Sequence, residues 1–339
     1  MSEELADIAE AMVQDGQGIL AADESTGTIK KRFDQINLES TEENRRAYRE
    51  MLFTADEAMR NYVSGVILFD ETIRQSTKDG RRFVDVMKDA GAVPGIKVDK
   101  GAKPMAGFPG EKVTEGLDGL RERLQEYHGL GARFAKWRAV IDIAEGLPTH
   151  GAMAANAHAL ARYAALCQEN GIVPIVEPEV LMDGPNADHD IERCYTVTET
   201  ALNLLFDALF EMRVDLKGTI LKPNMVVPGQ KGPQADAQTV AEMTIDCLKA
   251  TVPPAVPGIA FLSGGQADEA ATEHLSIMNK IGGFPWKMTF SYGRALQQAA
   301  IQAWGGHSEN VAAGQAAFTH RARMNGRAAL GNWSPQDER

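Results

Sequence analysis

The feature that most constrains this chain is a set of eight short apolar runs with almost no polar alternation. They lie at Gly18–Ala22, Gly65–Phe69, Gly95–Asp99, Arg133–Ile141, Ile172–Glu177, Gly218–Lys222, Gly258–Leu262 and Lys287–Ser291. A strand with one wet face alternates apolar and polar residues. A strand covered on both faces reads as a continuous apolar run. Between the runs the apolar spacing changes to three and four. Leu117, Leu120 and Leu124 follow it, as do Leu160, Tyr163, Ala164 and Cys167, and Leu202, Leu205, Phe206 and Leu209. Thr41, ahead of Glu42-Glu43-Asn44, is placed to cap a helix. Eight buried strands alternating with helices predict an α/β fold, a (β/α)8 TIM barrel. An open doubly wound sheet is the alternative. The first run, however, leads into Ala21-Ala22-Asp23-Glu24-Ser25-Thr26-Gly27 without the GxGxxG turn that such sheets show.

The 339 residues exceed a typical domain, but α/β barrels of this length are common as single domains. No repeat, low-complexity stretch or Ser/Gly linker divides the chain. We therefore expect one barrel domain over 1–339, with an N-terminal helix and a short polar tail from Gly331 that is loose. The net charge of −12 argues against nucleic acid and anionic membranes as partners. No apolar stretch approaches a membrane span. Cys167, Cys194 and Cys247 are odd in number and far apart, and no signal peptide is apparent, which suggests reduced thiols in a cytoplasmic protein.

Barrel enzymes place their chemistry at the C-terminal ends of the strands. Here those ends carry Asp23, then Lys97 and Asp99, Lys136 and Arg138, Glu177 and Glu179, and Lys222. Residues two apart on a strand share a face, so each of these pairs points one way. A strand-end lysine usually reaches into solvent. A lysine buried among opposite and like charges instead has its pKa moved, and as a neutral amine it attacks ketones. The last two runs end in Ser263-Gly264-Gly265 and Ser291-Tyr292-Gly293-Arg294, where many barrels bind phosphate. Gly305-Gly306 reads as a helix end. No metal site is expected. None of His128, His150, His158, His189, His274, His307 and His320 ends a run, and no HxH or HxxxH spacing occurs. Asp188-His189-Asp190 reads as a polar loop. No GxSxG elbow is present.

Taken together, these segments resemble class I fructose-1,6-bisphosphate aldolases. The match runs in order through Gly18–Gly27, Gly95–Gly101, Phe134–Arg138, Ile172–Glu179, Leu221–Met225, Phe261–Gln266 and Phe290–Leu296. The resemblance implies a Schiff base on Lys222, independent of metal or other cofactor, with Asp23, Lys136, Glu177 and Glu179 as the acid–base group. It implies a C1 phosphate site at Ser263, Gly264, Gly293 and Arg294, with Ser291 as a further substrate-binding residue. Ser25, Thr28 and Lys97 match contacts to the other phosphate, with Arg32 and Arg138 as helpers. It further implies phosphorylated ketose and triose substrates, a role in glycolysis and gluconeogenesis, and a homotetramer. Fructose 1-phosphate and sedoheptulose 1,7-bisphosphate are alternative substrates. A non-catalytic scaffold would be expected to have lost Lys222, Asp23 or Glu177. Many animal members end in a tyrosine that assists enamine protonation, whereas this sequence ends Asn332–Arg339 without one.

Overall fold

In the computed structural model, which describes residues 2–338, the eight runs close into a parallel barrel. The strands are β1 Gly18–Ala22, β2 Val63–Leu68, β3 Val93–Lys97, β4 Phe134–Ile141, β5 Val173–Val180, β6 Ile220–Leu221, β7 Gly258–Phe261 and β8 Lys287–Tyr292. Each pairs in parallel with its sequence neighbour. The ring closes where Ile19 meets Ser291 and Leu20 meets Tyr292. Helices fill the connections between strands. This is the expected (β/α)8 barrel. Strand limits differ from the sequence reading by at most three residues, and β1 matches it at both ends. At β6, Leu216–Gly218 turns as a 3₁₀ helix and leaves only Ile220 and Leu221 in the sheet. Lys222 still donates its N–H to Val176 O at 2.9 Å, so its direction is fixed by β5.

The barrel interior is a packed core. Ile19, Ala21, Ile67, Phe134, Val173, Ile175, Ile220 and Ala260 cluster with Leu5, Ala9, Met12 and Val13 from the N-terminal segment. The helix Ser2–Ala11 and the residues after it thus plug the barrel floor. Glycines make room for the bulky members. A Cβ on Gly95 would stand 2.3 Å from the Phe134 ring, and one on Gly258 would stand 2.5 Å from Val13. Full burial of a side chain such as Phe134 contributes on the order of 2–3 kcal/mol. The outer layer packs helices against the strands, with Trp137 stacked on Tyr163 at 5.5 Å.

Helix ends follow the capping rules. Thr41 accepts from Asn44 N, Thr149 from Ala152 N, Asp190 from Arg193 N and Asp236 from Thr239 N. Gly305 ends the helix Arg294–Trp304 in the left-handed conformation, as expected. All three cysteines are free and buried. No helix among the described residues is long and apolar enough to cross a membrane.

One expectation is corrected. The tail is not loose: Pro335–Glu338 forms a 3₁₀ turn. Glu338 pairs with Arg321 at 2.7 Å and His320 at 2.9 Å, and accepts from Trp333 Nε1 at 2.9 Å. Its polar residues mark partners on the preceding helix, not solvation. Asp188-His189-Asp190 is a polar loop, with Asp188 and Asp190 exposed and His189 buried between them. Its segment lies against residues 229–231, with Gly229 N on His189 O and Lys231 N on Ala187 O. A short antiparallel hairpin, Ala102–Pro104 with Lys112–Thr114, was not anticipated. Its three-residue strands are too short and polar to stand out in sequence.

Candidate active site

At the C-terminal mouth of the barrel lies an open cleft of about 1110 Å³. Lys136 on β4 stands at its centre. Its Nζ is 2.7 Å from Asp23 Oδ2, just beyond β1, and 3.2 Å from Glu177 Oε2 on β5. The other oxygen of Glu177 is 3.1 Å from Lys222 Nζ. Four ionisable side chains, two within β4 and β5 and two just beyond β1 and β6, therefore form one chain of contacts. All are buried: Lys222 is 4 % exposed, Glu177 3 %, Lys136 5 % and Asp23 9 %. Nearby on β4 and β5, Arg138 Nε pairs with Glu179 Oε2.

The electrostatics follow from this packing. Burial alone pushes the Asp23 carboxyl up, but Lys136 and Lys97 outweigh it and hold Asp23 far below the usual carboxylate range. Glu177 is likewise raised by burial and lowered more strongly by Lys136 and the neighbouring cations, so it too sits low. Burial pushes the Lys136 ammonium down, yet Asp23, Glu177 and Asp99 more than reverse this, so Lys136 stays charged. The cluster thus holds at least one fixed cation between two carboxylates.

The cleft wall includes nearly every sequence-predicted residue. Asp23, Thr28, Arg32, Lys97, Lys136, Arg138, Glu177, Glu179, Lys222, Ser263, Gly264, Ser291, Gly293 and Arg294 all line it. Ser25 does not; its hydroxyl lies 3.1 Å from Thr28 Oγ1 at the start of the helix Thr26–Asp34. Ser291 Oγ is buried without a protein partner. Lys97 Nζ rests over the Phe69 ring at 5.2 Å. Arg294 Nη2 is turned toward the Gly264 and Gln266 carbonyls, at 3.2 and 2.8 Å.

Sequence reasoning missed Glu24 and Asp183, which also line the cleft. Glu24 is held by a buried network. Arg49 donates to its Oε2 at 2.7 Å, and Gln297 Nε2 donates to its Oε1 at 3.0 Å. Arg32 Nη1 lies 2.7 Å from Glu24 Oε1 as an ion pair, without the alignment of a hydrogen bond. The position of Glu24 beside Asp23 was the available signal. Nothing in sequence marked Asp183.

The family model for class-I fructose-bisphosphate aldolase matches residues 4–339. The chain belongs to the class-I fructose-bisphosphate aldolase family. It is 61 % identical over 334 residues to a probable fructose-bisphosphate aldolase class 1 of Xanthomonas campestris pv. campestris, covering 98 % of both chains. It is 55 % identical over 320 residues to a cytosolic fructose-bisphosphate aldolase of Arabidopsis thaliana, covering 94 % of this chain and 80 % of the relative. Among solved structures, it resembles the fructose-bisphosphate aldolase of Plasmodium falciparum in a ternary complex with TRAP and a small-molecule inhibitor. There the TM-score is 0.94 at 48 % identity, covering 98 % of this chain and 96 % of the other. The chain is thus an enzyme that reversibly cleaves fructose 1,6-bisphosphate to dihydroxyacetone phosphate and glyceraldehyde 3-phosphate in glycolysis. Class I aldolases do this through a Schiff base on a lysine rather than through a metal.

Proposed function

We propose that Lys222 is the Schiff-base lysine, that Glu177 and Asp23 move protons around it, and that Lys136 is the fixed cation between them. The reading is carried by the contact chain Lys222–Glu177–Lys136–Asp23, buried at the barrel mouth. The Lys222 amine, free of its proton, attacks the C2 ketone of the sugar. Glu177, 3.1 Å away, is placed to take the ammonium proton and then to protonate the departing hydroxyl as water leaves. The resulting protonated imine is the electron sink. Asp23 takes the proton of the C4 hydroxyl, the C3–C4 bond breaks, and its electrons enter the imine to give an enamine. Glyceraldehyde 3-phosphate departs as the C4 hydroxyl becomes an aldehyde. Protonation of the enamine at C3 and hydrolysis of the imine release dihydroxyacetone phosphate and restore Lys222.

Lys136 stays cationic and stabilises charge that develops beside it. Glu179 holds Arg138 in the cleft wall. Ser263, Gly264, Ser291, Gly293 and Arg294 form the C1 phosphate site. Thr28, Arg32, Lys97 and Arg138 serve the phosphate at the other end, with Ser25 supporting Thr28. The chain works as one barrel domain, in the cytoplasm, as a homotetramer, and also in the gluconeogenic direction. Borohydride reduction in the presence of dihydroxyacetone phosphate tests the central assignment. We expect inactivation and a label on Lys222; a label on any other lysine refutes it.

A further inference from the structure

The turn after β7 has an unusual distribution of hydrogen bonds. Ser263 O accepts from Gln266 N at 3.2 Å and from Gln266 Nε2 at 3.1 Å. Gly264 O and Gln266 O both accept from Arg294 Nη2. Gly265 O accepts from Gln230 Nε2 at 2.7 Å. All four carbonyls of the turn are therefore taken from within the protein. Among the described residues, no acceptor of this chain takes the Gly264 or Gly265 N–H. Gly264 has φ +55°, a conformation that suits glycine and turns successive N–H groups to one side. Carbonyls tied back and N–H groups left open make a concave donor surface for an anion.

One side chain spans this turn from beneath. Gln266 is 6 % exposed, and its amide is oriented by its partners. Nε2 must face Ser263 O, which only accepts, so Oε1 faces His274 Nδ1 at 2.6 Å. His274 Nδ1 is then the donor, which fixes the tautomer of the ring. The imidazole sits on the helix Asp268–Ile281, and burial pushes its pKa down to about 4, so it is neutral throughout the working range of pH. A rigid helix thus holds a ring, the ring holds an amide, and the amide holds the first carbonyl of the turn.

We infer that the Gln266–His274 pair is a positioning device for the phosphate cradle, setting how tightly it holds the C1 phosphate. His274 touches no substrate. It acts by keeping Gln266 in the one orientation that draws Ser263 O away from the cleft. Without it the Gln266 amide is free to rotate, and the Gly264 and Gly265 N–H groups lose their common aim. The inference rests on the assignment of the β7 and β8 loops to the C1 phosphate.

The test is steady-state kinetics in the condensation direction, where each triose phosphate reports one end of the site. In His274→Leu, the KM for dihydroxyacetone phosphate should rise about tenfold, the effect of one lost hydrogen bond. The KM for glyceraldehyde 3-phosphate and kcat should stay within about twofold of the parent. Labelling of Lys222 by borohydride with unphosphorylated dihydroxyacetone should also be unchanged. His274→Asn, which offers an amide donor to Gln266 Oε1, should recover most of the loss. His274→Ala supplies the same comparison if the leucine variant folds poorly, because the imidazole is only partly buried. An unchanged KM for dihydroxyacetone phosphate overturns the inference. So does a parallel rise of both KM values, or a fall in kcat alone. A Ser263→Ala control separates the two levels of the argument. If it raises the dihydroxyacetone phosphate KM while His274→Leu does not, the cradle is correctly placed and only the role of His274 is wrong. If neither moves it, the cradle lies elsewhere.

Discussion

Lys136 Nζ meets Asp23 Oδ2 at 2.7 Å, a contact that reaches from β4 to the end of β1 across the barrel mouth. The two strands are not neighbours in the sheet; β2 and β3 stand between them. The pair is thus made by closure of the barrel rather than by any local feature. Glu177 on the adjacent β5 then connects the same ammonium to Lys222. The charges at this mouth cannot be altered one at a time without changing their neighbours.

Lys222→Met removes the amine and keeps a side chain of similar length. Cleavage of fructose 1,6-bisphosphate should fall below detection, and borohydride with dihydroxyacetone phosphate should leave the protein unlabelled. Binding of inorganic phosphate, followed by calorimetry, should be retained because no phosphate contact is assigned to Lys222. Measurable turnover in this variant would remove Lys222 from the mechanism.

Lys136→Met leaves Asp23 and Glu177 buried without their shared cation. We expect kcat to fall by about 10²–10⁴-fold. Stability should change with a definite sign. Both carboxyls are held below their ordinary range in the folded protein. The stabilisation they draw from Lys136 is therefore full above the unfolded carboxyl pKa, near pH 4, and is lost as pH falls through the depressed folded values. The stability gap between parent and variant should be largest at neutral pH and should shrink below about pH 4. Urea denaturation at pH 7, 5 and 3 measures it; a gap that widens in acid contradicts the assignment.

Gly95→Ala places a methyl group 2.3 Å from the Phe134 ring inside the barrel. The ring is held by its neighbours, so the strain has little outlet. A loss of about 1–3 kcal/mol or more is expected in chemical denaturation. The paired change Gly95→Ala with Phe134→Leu should recover part of it, because the smaller side chain yields the space.

Glu338→Gln weakens the contacts to Arg321 and His320 that fasten the last turn. Amide hydrogen exchange in residues 332–338 should accelerate at least about fivefold, with the barrel strands unaffected. Unchanged exchange would mean that Trp333 packing, rather than the ion pair, holds the segment.

Much of this architecture could be read from the residues. The eight strands were legible because burial on both faces removes alternation. The mouth was legible because charged residues at the ends of apolar runs have few other uses. Much of what escaped depends on partners outside the local sequence pattern. Glu24 gains meaning only beside Arg49 and Gln297. The polar tail reads as solvated until Arg321 appears beneath it. His189 lies in a sequence of turn residues, yet residues 229–231 cover it. The Gln266–His274 contact joins a turn to a helix that no periodicity links.

The plug beneath the barrel bears on how the chain is assembled. Leu5 lies under Gly218 and Val13 under Gly258, more than two hundred residues downstream. β1 likewise gains its second neighbour only when β8 arrives. During synthesis the earliest residues therefore have no complete floor to seal until Gly218 and Gly258 have been made, and β1 keeps one open edge until β8 is made. Contacts of such long separation are slow to form and leave apolar surface open meanwhile. The residues made first are thus among the last to be seated.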